Sequence, residues 1–422
     1  MSSFPARAVV DLAAIRTNVR SLAAHAPTAQ VMAVVKADAY GHGLVPVAEA
    51  AVAAGATWLG VAQMGEALEL RAAGVTTPRL LTWLYAPGAP LAAAVAADVD
   101  VSVAAPWALA EVVAAARHAG RTARIHLKVD TGLGRNGLTP DVLPDVLDTA
   151  LRAEAEGAVQ VVGLWSHLAF ADEPDHPTVH AQAAVFAQAV AVVEARGAHL
   201  EVRHLANSAA TLTAPALHYD LVRPGLAVYG LSPVPAIGGP EAFGLVPAMT
   251  LEAELATVKA VPAGQGVSYT HAYVTPGETV LGVVPIGYAD GVPRHASGSP
   301  DHPGGPLLVG GRRLRVAGRV CMDQVVVDLG PGAREQAGDR VELFGTGAAG
   351  GPTAEDWARA AGTISYEIVT RLGARVPRVH VDTAAADGPL GAVAERAPGA
   401  VDGAGFAPAV EGAVSEVEGI VR

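Results

Sequence analysis

At 422 residues the chain is long enough for two domains, because single hydrophobic cores stop growing at roughly 250–300 residues. Its formal net charge of −12 argues against nucleic acid as a partner, since a phosphate backbone requires a basic face. The single cysteine, Cys321, excludes an intrachain disulfide and favours a cytoplasmic location. The N-terminus lacks the apolar core of a signal peptide, and the uncharged stretch 80–97 contains Pro87, Gly88 and Pro90, which argue against a membrane span.

Apolar runs alternate with alanine-rich helical patterns through roughly the first 230 residues, as in repeated strand–helix units around a parallel sheet. Asp11 is a candidate cap for the first such helix. Eight runs predict eight strands, at 31–35, 58–62, 80–84, 99–103, 124–129, 159–165, 202–205 and 221–223. Eight units favour a closed (β/α)8 barrel of the TIM type. An open doubly wound sheet is the alternative, but its glycine-rich fingerprint is absent after the first strand.

The pattern changes at about residue 244 to shorter alternating runs separated by glycine and proline. These runs lie at 251–261, 279–286, 314–316, 325–329 and 340–344 and indicate a mainly β domain. We therefore predict an α/β barrel over 1–243 and a β domain over 244–383, with residues 1–10 a candidate strand of the second domain. Residues 384–422 are rich in small residues with a single aromatic, Phe406, and are predicted to be a flexible tail.

Only three lysines occur, Lys36, Lys128 and Lys259, while arginine supplies every other basic side chain. An amine that forms an imine must lose its proton, which a guanidinium does not do near neutral pH. The lysines are therefore candidates for covalent chemistry, although chance retention at the surface would explain any one of them.

Polar residues follow the predicted strands at their carboxyl ends, where barrel enzymes gather their active sites. Lys36 ends the first strand, Arg135 follows the fifth and His167 the sixth, and the last two strands lead into Asn207-Ser208 and Arg223-Pro-Gly225. Loops after strands seven and eight commonly bind phosphate in such barrels, so a phosphorylated cofactor is expected. Singly, these residues could be a core histidine, a salt-bridge arginine and a helix cap, but their coincidence at one barrel mouth favours function.

The chain contains seven separated motifs, which are VVKADAYGHG (34–43), KVDTGLGRNG (128–137), HLANS (204–208), RPGL (223–226), VSY (267–269), PIGYADG (285–291) and GRVCMD (318–323). Through these motifs the sequence resembles the alanine racemase family over roughly residues 5 to 382. The resemblance implies a pyridoxal 5'-phosphate barrel of fold type III with a C-terminal β domain, and no metal.

The resemblance also implies a two-base interconversion of L-alanine and D-alanine that supplies peptidoglycan synthesis. Lys36 would hold the cofactor covalently and act as base on one face of the α-carbon. Tyr269 would be the opposing base, donated by the partner subunit of a homodimer with shared sites. A phenol is a weak base near neutral pH, so nearby positive charge is expected to activate Tyr269.

Further roles follow from the resemblance, residue by residue. The groups that would hold the cofactor phosphate are Tyr40, Ser208, the amides of Gly225 and Leu226, and Tyr366, beside Asn207. Arg223 would face the pyridine nitrogen, hydrogen-bonded to His167. Arg135 and the backbone of the partner subunit's Met322 would bind the substrate carboxylate, beside Tyr288. Lys128, whose counterpart is carbamylated in some relatives, would orient Arg135. The residues that match the access channel are Asp172, Tyr288, Arg294, Arg319 and Ile364.

Three other functions compete with this prediction. A non-catalytic cofactor carrier would lack the β domain, and a decarboxylase of the same fold would place a carboxylate where Arg223 stands. A racemase for serine or for a broad substrate range remains open, since one methylene or hydroxyl changes discrimination by only about 1–3 kcal/mol. Thr270 replaces the usual glycine after Tyr269, so this loop is expected to be stiffer or shifted, whereas loss of the tail should leave turnover intact.

Overall fold

In the computed structural model, residues 5–383 are described, and they fold into a parallel barrel followed by a β-rich region. The strands are β1 (Ala6–Asp11), β2 (Gln30–Val34), β3 (Trp58–Val61), β4 (Arg79–Thr82), β5 (Asp100–Val103), β6 (Ala123–Lys128), β7 (Val159–Trp165), β8 (Val202–His204), β9 (Leu221–Val222), β10 (Met249–Glu254), β11 (Thr257–Val261), β12 (Gly266–Val267), β13 (Tyr273–Val274), β14 (Thr279–Val284), β15 (Pro306–Val309), β16 (Arg312–Arg315), β17 (Val325–Gly330), β18 (Arg340–Phe344) and β19 (Arg378–Val381). The predicted tail, 384–422, lies outside the described residues.

Eleven helical segments and several short 3-10 turns connect the described strands. The helices are α1 (Leu12–His25), α2 (Lys36–Gly41), α3 (Leu44–Ala53), α4 (Met64–Ala72), α5 (Leu91–Ala96), α6 (Pro106–Ala119), α7 (Leu143–Ala155), α8 (Pro177–Ala195), α9 (Ser208–Thr213), α10 (Ala354–Ala361) and α11 (Ser365–Thr370). The 3-10 turns are Pro215–Leu217, Leu226–Tyr229, Pro240–Phe243, Tyr269–His271, Tyr288–Asp290, Arg294–Ala296 and Ala348–Gly350.

The eight predicted barrel strands are confirmed. They form one parallel sheet in the order β8-β7-β6-β5-β4-β3-β2-β9. Two backbone hydrogen bonds cross the remaining gap between β8 and β9, from the Asp220 amide to the Arg203 carbonyl (3.1 Å) and from the Arg223 amide to the Ala206 carbonyl (2.9 Å). The carboxyl ends of all eight strands therefore meet at one mouth.

The helices around the barrel bury one face each, as α1 illustrates. The carboxylate of Asp11 accepts a hydrogen bond from the Ala13 amide (2.9 Å) and caps α1, as predicted. Ile15, Val19 and Leu22 lie at helical spacing and are fully buried against the barrel. Helix α8 is long and apolar enough to cross a membrane by length and composition, and it packs Phe186 into the same core.

The second region is mainly β, as predicted, and the N-terminal strand belongs to it. Its six-stranded sheet has the order β16-β15-β18-β10-β1-β19, in which β1 pairs antiparallel with β10 and parallel with β19. A three-stranded sheet, β11-β14-β17, and the hairpin β12-β13 complete it. The division of the chain at residue 243 stays a prediction.

The predicted continuous run 251–261 is wrong in one respect, because the structure divides it into β10 and β11. Between them the chain passes from one sheet to another. The Leu255 amide donates to the Asp339 carbonyl (2.9 Å), and the Ala256 amide donates to the Val283 carbonyl of β14 (2.8 Å). Hydrophobic periodicity does not identify the strands that pair with each part of the run, and in β11 it is weak, because Thr257, Lys259 and Ala260 are all exposed.

A left-handed turn follows β2 directly and carries the residues after Lys36. Four consecutive residues other than glycine, Ala37 to Tyr40, have φ between 51 and 56°. Each such residue costs roughly 1–2 kcal/mol relative to the right-handed form. Glu66 stabilises the turn by accepting from the Ala37 amide (2.6 Å), and the buried His42 ring lies 3.1 and 2.9 Å from the carbonyl oxygens of Ala39 and Tyr40.

Relief of this backbone strain should stabilise the protein. Ala37 is exposed, so Ala37→Gly removes the clash of a left-handed Cβ without creating a cavity. We expect the free energy of unfolding in urea to rise by about 1 kcal/mol. The matched control is Ala114→Gly on the exposed face of α6, which should lower it by about 1 kcal/mol. A loss of stability in both variants would contradict this account of the turn.

Candidate active site

The barrel mouth collects cationic side chains around His167. Lys36 follows β2, Lys128 ends β6 and Arg223 follows β9, while Arg135 lies on the exposed loop after β6. The pKa of His167 is lowered well below its usual value, first by burial and then by the positive charges of these four residues. One imidazole therefore experiences all four cations, and the mouth is suited to an anionic ligand.

Lys36 is positioned for amine chemistry. Burial lowers the pKa of its ammonium group, the charge of Arg135 lowers it further, and Glu66 opposes both effects. Its Nζ lies 6.0 Å from the centroid of the Trp83 ring. A larger share of neutral amine is thus available than on a solvated lysine, as imine formation requires.

Lys128 shares this electrostatic environment. Burial and then the charges of Arg135 and Arg223 lower its pKa to about 8. Its Nζ lies 4.4 Å from the centroid of the Trp165 ring, which provides a cation–π contact in place of a full counter-ion. The amine is therefore substantially more nucleophilic near neutral pH than an exposed lysine would be.

The loops after β8 and β9 form a small polar cradle. Asn207 caps α9, because its Oδ1 accepts a hydrogen bond from the Ala210 amide (3.1 Å). The Ser208 hydroxyl is therefore not needed to cap the helix. Ser208 Oγ instead accepts from the amides of Gly225 (2.8 Å) and Ala227 (3.3 Å). Its own hydroxyl proton remains able to donate to an anion at the cradle.

Tyr40 reaches the same place from the left-handed turn. A Cβ at position 225 would lie 2.3 Å from Tyr40 Oη, so only glycine allows this approach. The Tyr40 ring stacks on buried Tyr229 at 4.7 Å and lies 6.1 Å from the ring of Tyr366. Burial, followed by the negative charge of Asp172, raises the pKa of Tyr366 to about 12. Both phenols thus stay protonated and can donate hydrogen bonds. Leu226, the residue after Gly225, is fully buried.

The predicted partner of Arg223 is wrong. Its Nη1 lies 3.3 Å from Nδ1 of His204, not from His167, and its Nη2 donates to the carbonyl oxygens of Ser166 (2.7 Å) and Leu205 (3.2 Å). His204 ends β8, beside the strand that leads to Arg223, so its ring points into the barrel. His167 lies beyond the end of β7, where its side chain belongs to the mouth.

Tyr269 and Met322 belong to the second region and are exposed. The Tyr269 side chain is 69% exposed, and within residues 5–383 no hydrogen bond or ring contact joins it to the barrel mouth. Its loop is tied to the 318–323 motif, because Ser268 Oγ donates to the Arg319 carbonyl (2.8 Å). The Tyr288 amide donates in turn to the Cys321 carbonyl (3.0 Å), and the Ala289 amide to that of Met322 (2.9 Å).

Four of the five predicted access-channel residues fall into two places, and the fifth, Tyr288, lies on the loop that bonds to Cys321. Arg294 and Arg319 both line a cavity of about 320 Å³ in the second region. Asp172 is exposed and acts electrostatically on Tyr366, while Ile364 is 60% exposed just before α11. The structure therefore groups the two arginines, and it places Asp172 and Ile364 on the side of Tyr366.

Sequence reasoning missed several mouth residues, above all two aromatic rings. Trp165 contacts both Lys128 and Arg223, whose Cζ lies 4.9 Å from its centroid, and Trp83 lies near Lys36. Trp165 ends β7 and His204 ends β8. Examination of the last residue of every predicted strand would have included Trp165 and His204 among the candidate site residues.

Comparison with known proteins covers most of the described chain. The family model for the alanine racemase N-terminal domain matches residues 10–233, and the model for the alanine racemase C-terminal domain matches residues 248–380. The alanine racemase of Beutenbergia cavernae is 65% identical over 379 residues, covering 90% of this chain and 98% of the relative. That of Streptomyces coelicolor is 60% identical over 381 residues, covering 89% and 96%.

Solved structures lead to the same family. The crystal structure of alanine racemase from a D-cycloserine-producing Streptomyces lavendulae matches with a TM-score of 0.87 and 57% identity, over 90% of this chain and 98% of that one. The Streptomyces coelicolor structure matches with a TM-score of 0.87 and 60% identity, over 89% and 98%. With both family models matched and a barrel mouth built around Lys36, this chain belongs to the alanine racemase family of isomerases.

Proposed function

We propose that this protein is a pyridoxal-phosphate-dependent racemase that interconverts L-alanine and D-alanine, with Lys36 and Tyr269 as opposing bases. It would act in the cytoplasm as a homodimer and supply D-alanine for peptidoglycan. The observation that carries the proposal is the placement of Lys36, whose pKa is lowered by burial, in a mouth shared with Lys128, Arg135 and Arg223. Relatives named alanine racemase at 55–65% identity support the substrate.

The polar cradle fits the phosphate group of such a cofactor. The Ser208 hydroxyl and the phenols of Tyr40 and Tyr366 are hydrogen-bond donors at this cradle. Tyr40 can approach the cradle because residue 225 is a glycine and has no Cβ in the way. Arg223 would take the pyridine nitrogen, as the family resemblance implies. Because a guanidinium remains protonated, that nitrogen would stay without a proton.

When bound, pyridoxal phosphate delocalises the negative charge that develops at the α-carbon as its proton leaves. The protein residues decide which face loses and which regains the proton. Lys36 acts on one face, where its partly desolvated amine can accept and return a proton. Arg135 would bind the carboxylate as a bidentate cation and so fix the α-carbon relative to Lys36.

Tyr269 would serve the opposite face in the partner subunit. It is 69% exposed here, and Met322 is 53% exposed on the neighbouring loop, so a second copy would cover apolar surface as well as complete the site. A twofold-symmetric dimer would then contain two equal sites, each with Lys36 from one chain and Tyr269 from the other.

Replacement of Lys36 tests the covalent role. Lys36→Ala should abolish the absorbance band of the lysine-bound cofactor and lower racemisation by about 10³-fold or more. The control is Lys259→Ala, an exposed lysine of β11, which should change neither. Because burial lowers the pKa of Lys36, the rate at which the apoprotein takes up pyridoxal phosphate should reach its plateau below pH 10.5. Unchanged racemisation in Lys36→Ala would contradict the proposal.

Replacement of Tyr269 tests the second base. Tyr269→Phe should keep the cofactor absorbance and lower kcat for racemisation by about 10²- to 10⁴-fold, since it removes a proton-transfer group. The control is Tyr273→Phe, whose hydroxyl donates to Asp328 (2.7 Å) away from the barrel, and which should retain activity.

Mixing the two inactive variants tests whether the bases come from different chains. Lys36→Ala and Tyr269→Phe, co-expressed, should recover about a quarter of wild-type activity, because half of the dimers carry one intact site of two. No recovery in mixed dimers that are verified by mass spectrometry would show that both bases belong to one chain.

Replacement of Arg223 tests whether an unprotonated pyridine nitrogen limits side reactions, because in that form the cofactor would withdraw electrons less strongly. Arg223→Glu would favour a protonated pyridine nitrogen, so abortive conversion of the cofactor to its amine form should increase relative to racemisation. Arg223→Lys preserves the positive charge and should alter this ratio less. The ratio is measured from cofactor absorbance and optical rotation in the same reaction, and an unchanged ratio in Arg223→Glu would defeat the idea.

A further inference from the structure

Four polar side chains, Arg223, His204, His126 and Asp100, form a single hydrogen-bonded file that crosses the barrel interior. Nη1 of Arg223 lies 3.3 Å from Nδ1 of His204, Nε2 of His204 lies 2.9 Å from Nδ1 of His126, and Nε2 of His126 lies 3.2 Å from Oδ2 of Asp100. All four side chains are buried. Polar groups in such a position must satisfy one another, because water does not reach them.

The chemistry of the two ends fixes the direction of every hydrogen bond in the file. Arg223 can only donate, so His204 Nδ1 must accept and the ring proton must lie on His204 Nε2. That proton is donated to His126 Nδ1, which leaves the proton of His126 on Nε2, facing Asp100. Asp100 is an acceptor held by Arg124, whose Nε lies 3.0 and 3.2 Å from its two carboxylate oxygens.

The charge state of His204 agrees with this direction. Burial first, and then the positive charge of Arg223 and the neighbouring His126, lower the pKa of His204 well below its usual value. A neutral imidazole has one proton and one acceptor nitrogen, as the file requires. A doubly protonated His204 would point an N–H group at the N–H group of Arg223.

The surrounding residues are shaped to hold these two rings. Trp165 stacks on His204 with a centroid distance of 5.6 Å and an interplanar angle of 2°, and Trp58 contacts His126 edge-on at 5.4 Å. A Cβ at Gly163 would lie 2.1 Å from His126 Nδ1, so this position of β7 accommodates the ring only as glycine. The register of β6 against β7 also shifts between Ile125 and His126.

The same file explains how a buried cation is held without a direct counter-ion. Within residues 5–383 no carboxylate lies within salt-bridge range of Arg223, and its acceptors are His204 and two backbone carbonyls. Burial lowers the pKa of Arg223 to about 9. Hydrogen bonds polarise one another along a chain, so the carboxylate of Asp100 strengthens His204 as an acceptor through His126.

We infer that His126 and Asp100 are positioning residues, which fix His204 as the acceptor tautomer and thereby hold the Arg223 guanidinium in a single orientation at the cofactor site. This inference rests on the proposed function for its catalytic consequence, but the tautomers themselves do not depend on it. We call Arg223, His204, His126 and Asp100 the interior relay. Asp100 is the distant end, and a change there reaches Arg223 only through the two imidazoles.

Nitrogen-15 NMR of the imidazole rings in the wild-type protein is the first test. Rings of His204 and His126, assigned by single His→Gln variants, should each show a protonated Nε2 and an unprotonated Nδ1. Protonation of Nδ1 in either ring, or of both nitrogens in His204, would overturn the relay.

Asp100→Asn is the second test, because an amide has one acceptor and one donor where the carboxylate has two acceptors. Its oxygen should face Arg124 and its NH2 group His126, which moves the protons of both rings to Nδ1. His204 then faces Arg223 with a donor, so kcat for racemisation should fall by about tenfold with KM for alanine changed little, as for loss of other outer partners of site residues. The ratio of abortive cofactor conversion to racemisation should rise.

Glu201→Gln is the matched control. Glu201 pairs with Arg124 on the side away from Asp100 (2.7 Å) and is not part of the relay. Loss of the Glu201 carboxylate should leave the two imidazole tautomers, kcat and the ratio of abortive conversion to racemisation unchanged.

Unchanged tautomers in a folded Asp100→Asn protein would overturn the relay. If that variant fails to fold, the tautomers of the wild-type protein still decide between the relay and its absence. Expected tautomers in a wild-type protein without racemase activity would instead reject the proposed function alone.

Discussion

The buried guanidinium of Arg223 is the constraint around which the barrel interior is organised. A cation excluded from water requires acceptors, and here they are two strand-end carbonyls and one histidine whose own proton points to a second histidine. The indole of Trp165 covers both Arg223 and His204 and limits the access of water. The positive charge that remains is directed to the mouth, where it joins Lys36, Lys128 and Arg135. These cations are not fully neutralised by protein carboxylates, so the mouth can attract an anionic cofactor and an anionic substrate.

Strain at the left-handed turn and electrostatics in the mouth act on the same lysine. The turn places Lys36 and Tyr40 at the carboxyl end of β2, and it is stabilised by Glu66 from one side and buried His42 from the other. Glu66 also favours the charged form of Lys36, whereas burial and Arg135 favour the neutral form. The reactive amine is thus held by a backbone conformation that the neighbouring side chains maintain against its intrinsic cost.

The two regions contribute to function in different ways. The barrel holds the groups that need burial and altered pKa values, namely Lys36, Lys128, Arg223 and the mouth and interior histidines. The β-rich region presents Ile364 at its surface, and also Tyr269 and Met322, whose loops are joined by hydrogen bonds. Exposed apolar side chains on interlocked loops are what an interface needs, because they gain from desolvation and lose little conformational entropy.

The sequence by itself determined the eight barrel strands, the β-rich second region and the strand-end positions of Lys36, His167, Ser208 and Arg223, since these follow from local hydrophobic periodicity and from a rule that places strand ends at one mouth. Tertiary structure alone decided which groups touch. His126 and His204 lie 78 residues apart, and only the lateral order of the strands brings their rings to 2.9 Å. The choice of His204 over His167 for Arg223, the division of 251–261 and the left-handed turn depend likewise on neighbours from distant segments. Periodicity describes which face a residue takes, and it carries no information about the side chain that it meets there.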